Sequence, residues 1–402
     1  VRFVTTEHPV PGGSFSPSYQ RIFGNMTYCA PVPRNAPDAR PADPYIAGRA
    51  IGDRQIYITE GYLPTFNTSQ YNLPTFIIDS TLPPGPAADG GGNYTRGRLY
   101  HRWEQNYYVP RGGTFSYWQQ TLDIPIPIGF RGASGTDASA SVIDIGTGKI
   151  VDYWVVATAD GTRTYLDTSS QNGNSELAAS YSPIPAGETC YTTFGEAYNY
   201  RTPSTPGAFN RGNVVASGMI GSGFQIGIHE ALMASGLKIN PDGSISDAPP
   251  IVDAIQHVIG LEFALWFGQG RGQFSWPANF TDANNAVADE LLYGQRLYFD
   301  PNVVKVSDYT DPFTRALVWT GTNYGFIPTD VSGNFAVRGE FWFRPDPSHE
   351  HPWTRIFNKS AGGDRAAILR RLPWYQLRSL PKDYGKPGTP TAGLLSPLGI
   401  PA

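Results

Sequence analysis

Between residues 114 and 167 apolar and polar positions alternate with a period of two, in TFSYWQQTLDIPIPIGF and then in SASVIDIGTGKIVDYWVVATADGTRTYLD. That period places successive side chains on opposite faces of an extended chain, so both runs predict strands, the second an antiparallel meander. Within it IDIGTGKIVDYW reads as a hairpin. Two apolar runs flank a Gly-Thr-Gly turn with Asp144 and Lys149 as polar shoulders, and Ile143 and Asp144 are expected opposite the region of Ile150 and Val151. A second turn, ADGT at 159–162, links the next pair of strands.

Helical spacing is rarer. IHEALMAS (228–235) and IVDAIQHVIG (251–260) predict short helices, the second starting after Pro249-Pro250 with Ile251, Ile255, Val258 and Ile259 on one face. TDPFTRALVWTG opens with an Asp cap and Pro at the first helical position, and Gly321 is its expected stop. GDRAAILRRL (363–372) carries a fourth helix, ended by Pro373.

Composition favours strands and turns over helices. The 402-residue chain holds 45 Gly, 36 Pro, 23 Tyr, 21 Phe and 9 Trp, and its 13 % aromatic content argues against a disordered polymer. The stretch LPPGPAADGGGN (82–93) reads as a connector. Three regions result: residues 1–97 as a Pro/Gly-rich N-terminal arm with edge strands, 98–345 as a β domain, and 346–402 as a C-terminal helix and extended tail.

A formal net charge of −4 offers no basic field for nucleic acid. No apolar run reaches bilayer length, so membrane insertion is not expected. Cys29 and Cys190 either form one disulfide or stay as two buried thiols. No cofactor is expected. GSGFQ (221–225) lacks the G-x-S-x-G pattern of a nucleophile elbow, and GQGRG (268–272) is not followed by a helix. His349-Glu350-His351 has two histidines at i, i+2, but only Asp346 is nearby to help them, so no metal site is expected.

Several segments taken in order resemble one family pattern. They are ASGTDASASVIDIGTGKIVDYWVV, NVVASGMIGSG, IQHVIGLEFAL, FSWPANFTD, YGQRLYFDP and ALVWTGTNYGFIPTDVSGNFAVRGE. The pattern is that of uncharacterised proteins of actinobacteria and of their phages, where they are usually named minor tail proteins. The resemblance spans roughly residues 130–340. It implies one antiparallel β-sandwich of the jelly-roll or lectin-like kind, with a few short helices and extended terminal arms. The implied role is a virion structural and adhesion protein of an actinobacteriophage tail. Its implied partners are other tail subunits and host cell-wall polysaccharide, with a homo-oligomer, trimer favoured. If bacterial, the protein is expected to be secreted. The segment 229–250 departs from the pattern.

Candidate chemistry concentrates in residues 253–300. His257 titrates near neutrality, and with Glu262 or Asp282 it has the makings of an acid–base pair, while a core histidine satisfies the same pattern. Glu262, in an apolar strand, is the carboxyl expected to be raised by burial. A glycoside hydrolase or polysaccharide lyase using His257, Glu262 and Asp282 is therefore the rival expectation, since a glycosidase needs two carboxyl groups across a sugar bond. For glycan binding the candidates are Trp276, Tyr293, Arg296 and Asp137. Sugar rings stack on aromatic faces and charged groups bind their hydroxyls. Trp276, next to Pro277 and among Gly, Ser and Asn, is expected to be exposed.

Overall fold

A computed structural model describes residues 40–41, 64–69, 72–104, 117–130, 132–133, 137–154, 156–158, 190–192, 194–199, 214–240, 242–264, 273–278, 281, 291–332, 335–342, 348–386 and 388–390. The strands in the first half are β1 (Arg40–Pro41), β2 (Thr65–Asn67), β3 (Thr75–Ile78), β4 (Tyr94–Glu104), β5 (Tyr117–Pro127), β6 (Ala140–Asp144), β7 (Lys149–Trp154), β8 (Ala157–Thr158), β9 (Cys190–Thr192) and β10 (Phe194–Asn199). Then follow β11 (Leu237–Ile239), β12 (Ile245–Asp247), β13 (Ile259–Ala264), β14 (Leu297–Phe299), β15 (Phe326–Ser332), β16 (Ala336–Arg338) and β17 (Leu377–Ser379). Four α-helices accompany them: α1 (Ile228–Ser235), α2 (Pro312–Asn323), α3 (Pro352–Ala361) and α4 (Arg365–Arg370).

The architecture is mixed α/β, which corrects the expected all-β antiparallel sandwich. A seven-stranded sheet runs β1-β17-β14-β15-β13-β16-β2, and a four-stranded sheet runs β10-β7-β6-β3. Parallel pairs occur in both, β13 with β15 and β16 with β2 in the first, β3 with β6 in the second. The reason is topological. Strands β13 and β15 are separated in the chain by β14 and α2, a crossover long enough to bring the second strand back alongside in the same direction. Alternation within one strand carries no information about such distant partners.

Burial defines the layers. One face of the seven-stranded sheet offers Leu261, Phe263, Leu297, Phe299, Phe326, Val337 and Phe66 to the apolar sides of α1, α2, α3 and α4. Beneath its other face lies a second cluster, where Ile327 and Tyr293 meet Ile143 and Ile150 of the four-stranded sheet. Odd and even positions of β6 then part company. Ile143 joins this inter-sheet layer, whereas Ala140 and Val142 turn outward to Phe76, Phe130, Tyr153 and Tyr94. The four-stranded sheet is thus covered on both sides, which explains why β6 is buried at all five positions.

Local signals explain individual elements. The hairpin pairs Ile143 with Ile150, Val142 with Val151 and Asp144 with Lys149. Asp311 caps α2 by accepting from the Thr314 backbone N–H at 2.7 Å, with Pro312 at its first position. Gly321 does not stop that helix, which runs on to Asn323. It leaves room instead for the ring of Phe299, whose nearest carbon is 2.5 Å from where a Cβ would be. Helices α1 and α4 form where their spacing predicts. The expected helix at 251–260 does not. After two prolines, residues 251–258 form turns and irregular chain, and the apolar run continues as β13. The ADGT turn and the terminal arms at 1–39 and 391–402 lie outside the described residues. No helix among the described residues is long and apolar enough to cross a membrane.

Candidate functional site

Strands β15, β13, β16 and β2 lie side by side, and their register gathers charge on the buried inter-sheet side. Glu262 is the register partner of Asp330 on β15 and of Ala336 on β16, while Arg338 pairs with Asn67 on β2. A register shift between Leu261 and Glu262 marks an irregularity of the kind that re-aims side chains. The Arg338 guanidinium donates through Nε to Glu262 Oε1 and through Nη2 to Asp330 Oδ2 at 3.0 Å. Asn67 Nδ2 makes a long contact with Glu262 Oε2 at 3.5 Å. Glu262 and Arg338 are only 2 % and 3 % exposed, so their charges are desolvated and held by one another.

Asp137, half-buried in the loop before β6, acts on both of them electrostatically. Burial pushes the Glu262 carboxyl above its ordinary range, against the lowering effect of Arg338, and Asp137 adds to the upward push. Arg338 moves upward as well. Desolvation opposes its charge, but Glu262, Asp330 and Asp137 together outweigh that penalty. The group therefore sets three carboxyl groups around one guanidinium.

His257 is elsewhere. Its ring is fully buried, with Nε2 2.8 Å from Glu230 Oε1 and Nδ1 2.8 Å from the carbonyl oxygen of Val258. Glu230 Oε1 also accepts from the backbone N–H of Gly227 at 2.6 Å, and Glu340 Oε2 accepts from that of Ile228 at 3.0 Å. Two carboxylates thus satisfy N–H groups that the first turn of α1 leaves open, and His257 braces one of them. The expected His257–Glu262 pair does not form.

The other candidates fall into structural surroundings. Trp276 is 9 % exposed, not open to solvent as expected; its backbone N–H donates to Asp383 Oδ1 at 2.7 Å, tying the segment to the C-terminal region. Tyr293 is 1 % exposed within the inter-sheet core. Arg296, 3 % exposed, donates through Nη1 to the carbonyl of Tyr324 at 2.7 Å, clamping the turn between α2 and β15. Asp282 lies outside the described residues. Of the seven candidates the structure thus brings together Glu262 and Asp137.

Glu230, Asp330, Arg338 and Asn67 are additions that sequence reasoning missed. Glu230 had a usable signal, a carboxylate at the third helical position where a helix start wants one. Arg338 had another, being the single cation inside the apolar run NFAVRGEF. Among the described residues, no group of three or more His, Cys, Asp or Glu could hold a metal ion. Comparison with protein-family models, curated proteins and solved structures finds no match for this chain.

Proposed function

We propose that this chain is a structural component of an actinobacteriophage tail, a minor tail protein that assembles with other tail subunits and touches host cell-wall polysaccharide. The biological setting rests on the sequence pattern between residues 130 and 340. One structural observation supports the structural class over an enzyme: His257 and Glu262, the described members of the expected catalytic trio, are both buried and already paired, with Glu230 and with Arg338. A general acid or base has to reach a substrate proton within hydrogen-bond distance, and neither group faces solvent. Polysaccharide contact belongs, on this reading, to surface outside the buried Trp276, Tyr293 and Arg296, and gains strength from several copies in a homo-oligomer, trimer favoured.

A glycoside hydrolase or polysaccharide lyase is the second reading. It is favoured by Glu262, a carboxyl raised by burial with Asp330 and Asp137 as carboxylate neighbours. One assay separates the two. Purified protein is incubated with actinobacterial arabinogalactan, and both co-sedimentation and release of reducing or unsaturated sugar are followed. Binding without release supports the tail component. Release by the wild type that Glu262→Gln abolishes replaces it with the enzyme, and absence of both binding and release removes the polysaccharide contact from the proposal.

A further inference from the structure

We propose that Asp137, Glu262, Asp330 and Arg338 form a proton-dependent clasp that holds the loop before β6 onto the seven-stranded sheet. The inference does not depend on the tail assignment. It starts from a count of charges in a confined place. One guanidinium, 3 % exposed, serves two sheet carboxyl groups, Glu262 beside it and Asp330 at 3.0 Å, while Asp137 approaches from a different layer. With every carboxyl ionised the group carries an excess of two negative charges in a poorly solvated space, where like charges repel far more than in water. A proton on Glu262 halves that excess.

Every described element packed against Glu262 on this side is accounted for. Strand β15 supplies Asp330, β16 supplies Arg338, β2 supplies the neutral Asn67, and the loop before β6 supplies Asp137. The opposite face of β13 carries Leu261 and Phe263 in the apolar core and brings no charge.

The loop is built to let go at a defined place. Ala138 sits in the left-handed region at φ 38°, a conformation that costs a non-glycine residue about 1 kcal/mol or more. Few bonds hold the loop in place: the carbonyl of Ala138 accepts from Val156 N–H at 2.9 Å and that of Ser139 from Ala133 N–H at 2.8 Å. A strained, half-buried segment facing a group with surplus negative charge is the element that ionisation of Glu262 would displace.

The direction with pH follows from the shift. Glu262 is raised in the folded protein above its ordinary value of 4.5, so its protonated form is favoured by folding. The clasp is complete below that value and weakens as pH rises through the folded one.

Hydrogen exchange of the full chain, read as protection factors corrected for intrinsic rates, tests this. Amides of residues 137–139 should lose protection by up to about tenfold per pH unit once Glu262 begins to ionise, the factor that corresponds to one proton. In Glu262→Gln, which cannot ionise, the same amides should keep constant protection. Should that variant fail to fold, Asp137→Asn serves instead. Removing the neighbouring negative charge should move the midpoint to lower pH. A flat wild-type profile, a pH step that persists in Glu262→Gln, or an unmoved midpoint in Asp137→Asn each overturns the clasp.

Discussion

Nε2 of His257 lies 2.8 Å from Oε1 of Glu230, inside the protein and 27 residues away along the chain. Because Nδ1 faces the Val258 carbonyl, that nitrogen has to donate, and the proton between Nε2 and Glu230 completes a pair that joins the irregular segment before β13 to the start of α1. Removing one partner strands the other in a dry place. His257→Ala is expected to lower stability by about 3 kcal/mol or more. Urea denaturation of the two single variants and of the double variant with Glu230→Gln should show strong coupling, the double costing clearly less than the two singles combined. Additive losses would mean that the two side chains do not act as a pair.

Acid sensitivity should arise at the β6–β7 hairpin. Burial pushes Asp144 upward, but donors from Ser80 and Thr147 more than offset it, and its carboxyl ends below the ordinary value of 3.8. Oδ1 accepts from Ser80 N–H at 3.0 Å and Gly146 N–H at 3.0 Å, and Oδ2 from the hydroxyls of Ser80 and Thr147 at 2.5 and 2.6 Å. A depressed folded value means that this stability is present above 3.8 and lost as pH falls through the lower folded value. Asp144→Asn should therefore flatten the acid limb of thermal stability between about pH 4 and pH 2. An unchanged limb would place the acid response in other carboxyl groups.

Gly325 ends α2 and admits β15. Its φ is +77°, and a Cβ there would lie 2.0 Å from the Leu297 carbonyl oxygen. The obstacle is backbone, which cannot swing aside as a side-chain tip can. Gly325→Ala is expected to cost about 3 kcal/mol, visible as a lowered urea midpoint with an unchanged slope. A loss under about 1 kcal/mol would show that the α2–β15 turn tolerates relaxation.

Local elements could be read from the sequence where a local force sets them. Asp311 and Pro312 announced α2, the Gly-Thr-Gly turn announced the hairpin, and Glu262 in an apolar run announced a raised carboxyl. The parallel pairs could not be read, because they depend on which distant strand returns beside which, and alternation in β13 is compatible with either direction. Partner choice failed for the same reason. His257 and Glu262 are five positions apart, yet one lies before β13 and meets α1, while the other lies within β13 and meets β16. Gly321 misled because a glycine suits both a helix stop and a close approach, and only the ring of Phe299 across the gap decides between them.

Trp276 shows how burial changes the meaning of a binding experiment. An exposed tryptophan on a sugar-binding face would leave the fold intact when truncated and would lower binding alone. Here the indole is 9 % exposed, its segment is fastened by the Trp276 N–H to Asp383, and Asp383 returns a bond from its own N–H to Ser275 Oγ at 2.8 Å. Trp276→Ala should therefore open a cavity and cost about 3–5 kcal/mol of stability. Any loss of cell-wall binding should then track the unfolded fraction as temperature is varied, and Trp276→Phe, which keeps most of the apolar volume, should restore both together. A Trp276→Ala protein that melts like the wild type yet no longer sediments with cell walls would make the indole a glycan contact after all and would return this edge of the seven-stranded sheet to the binding surface.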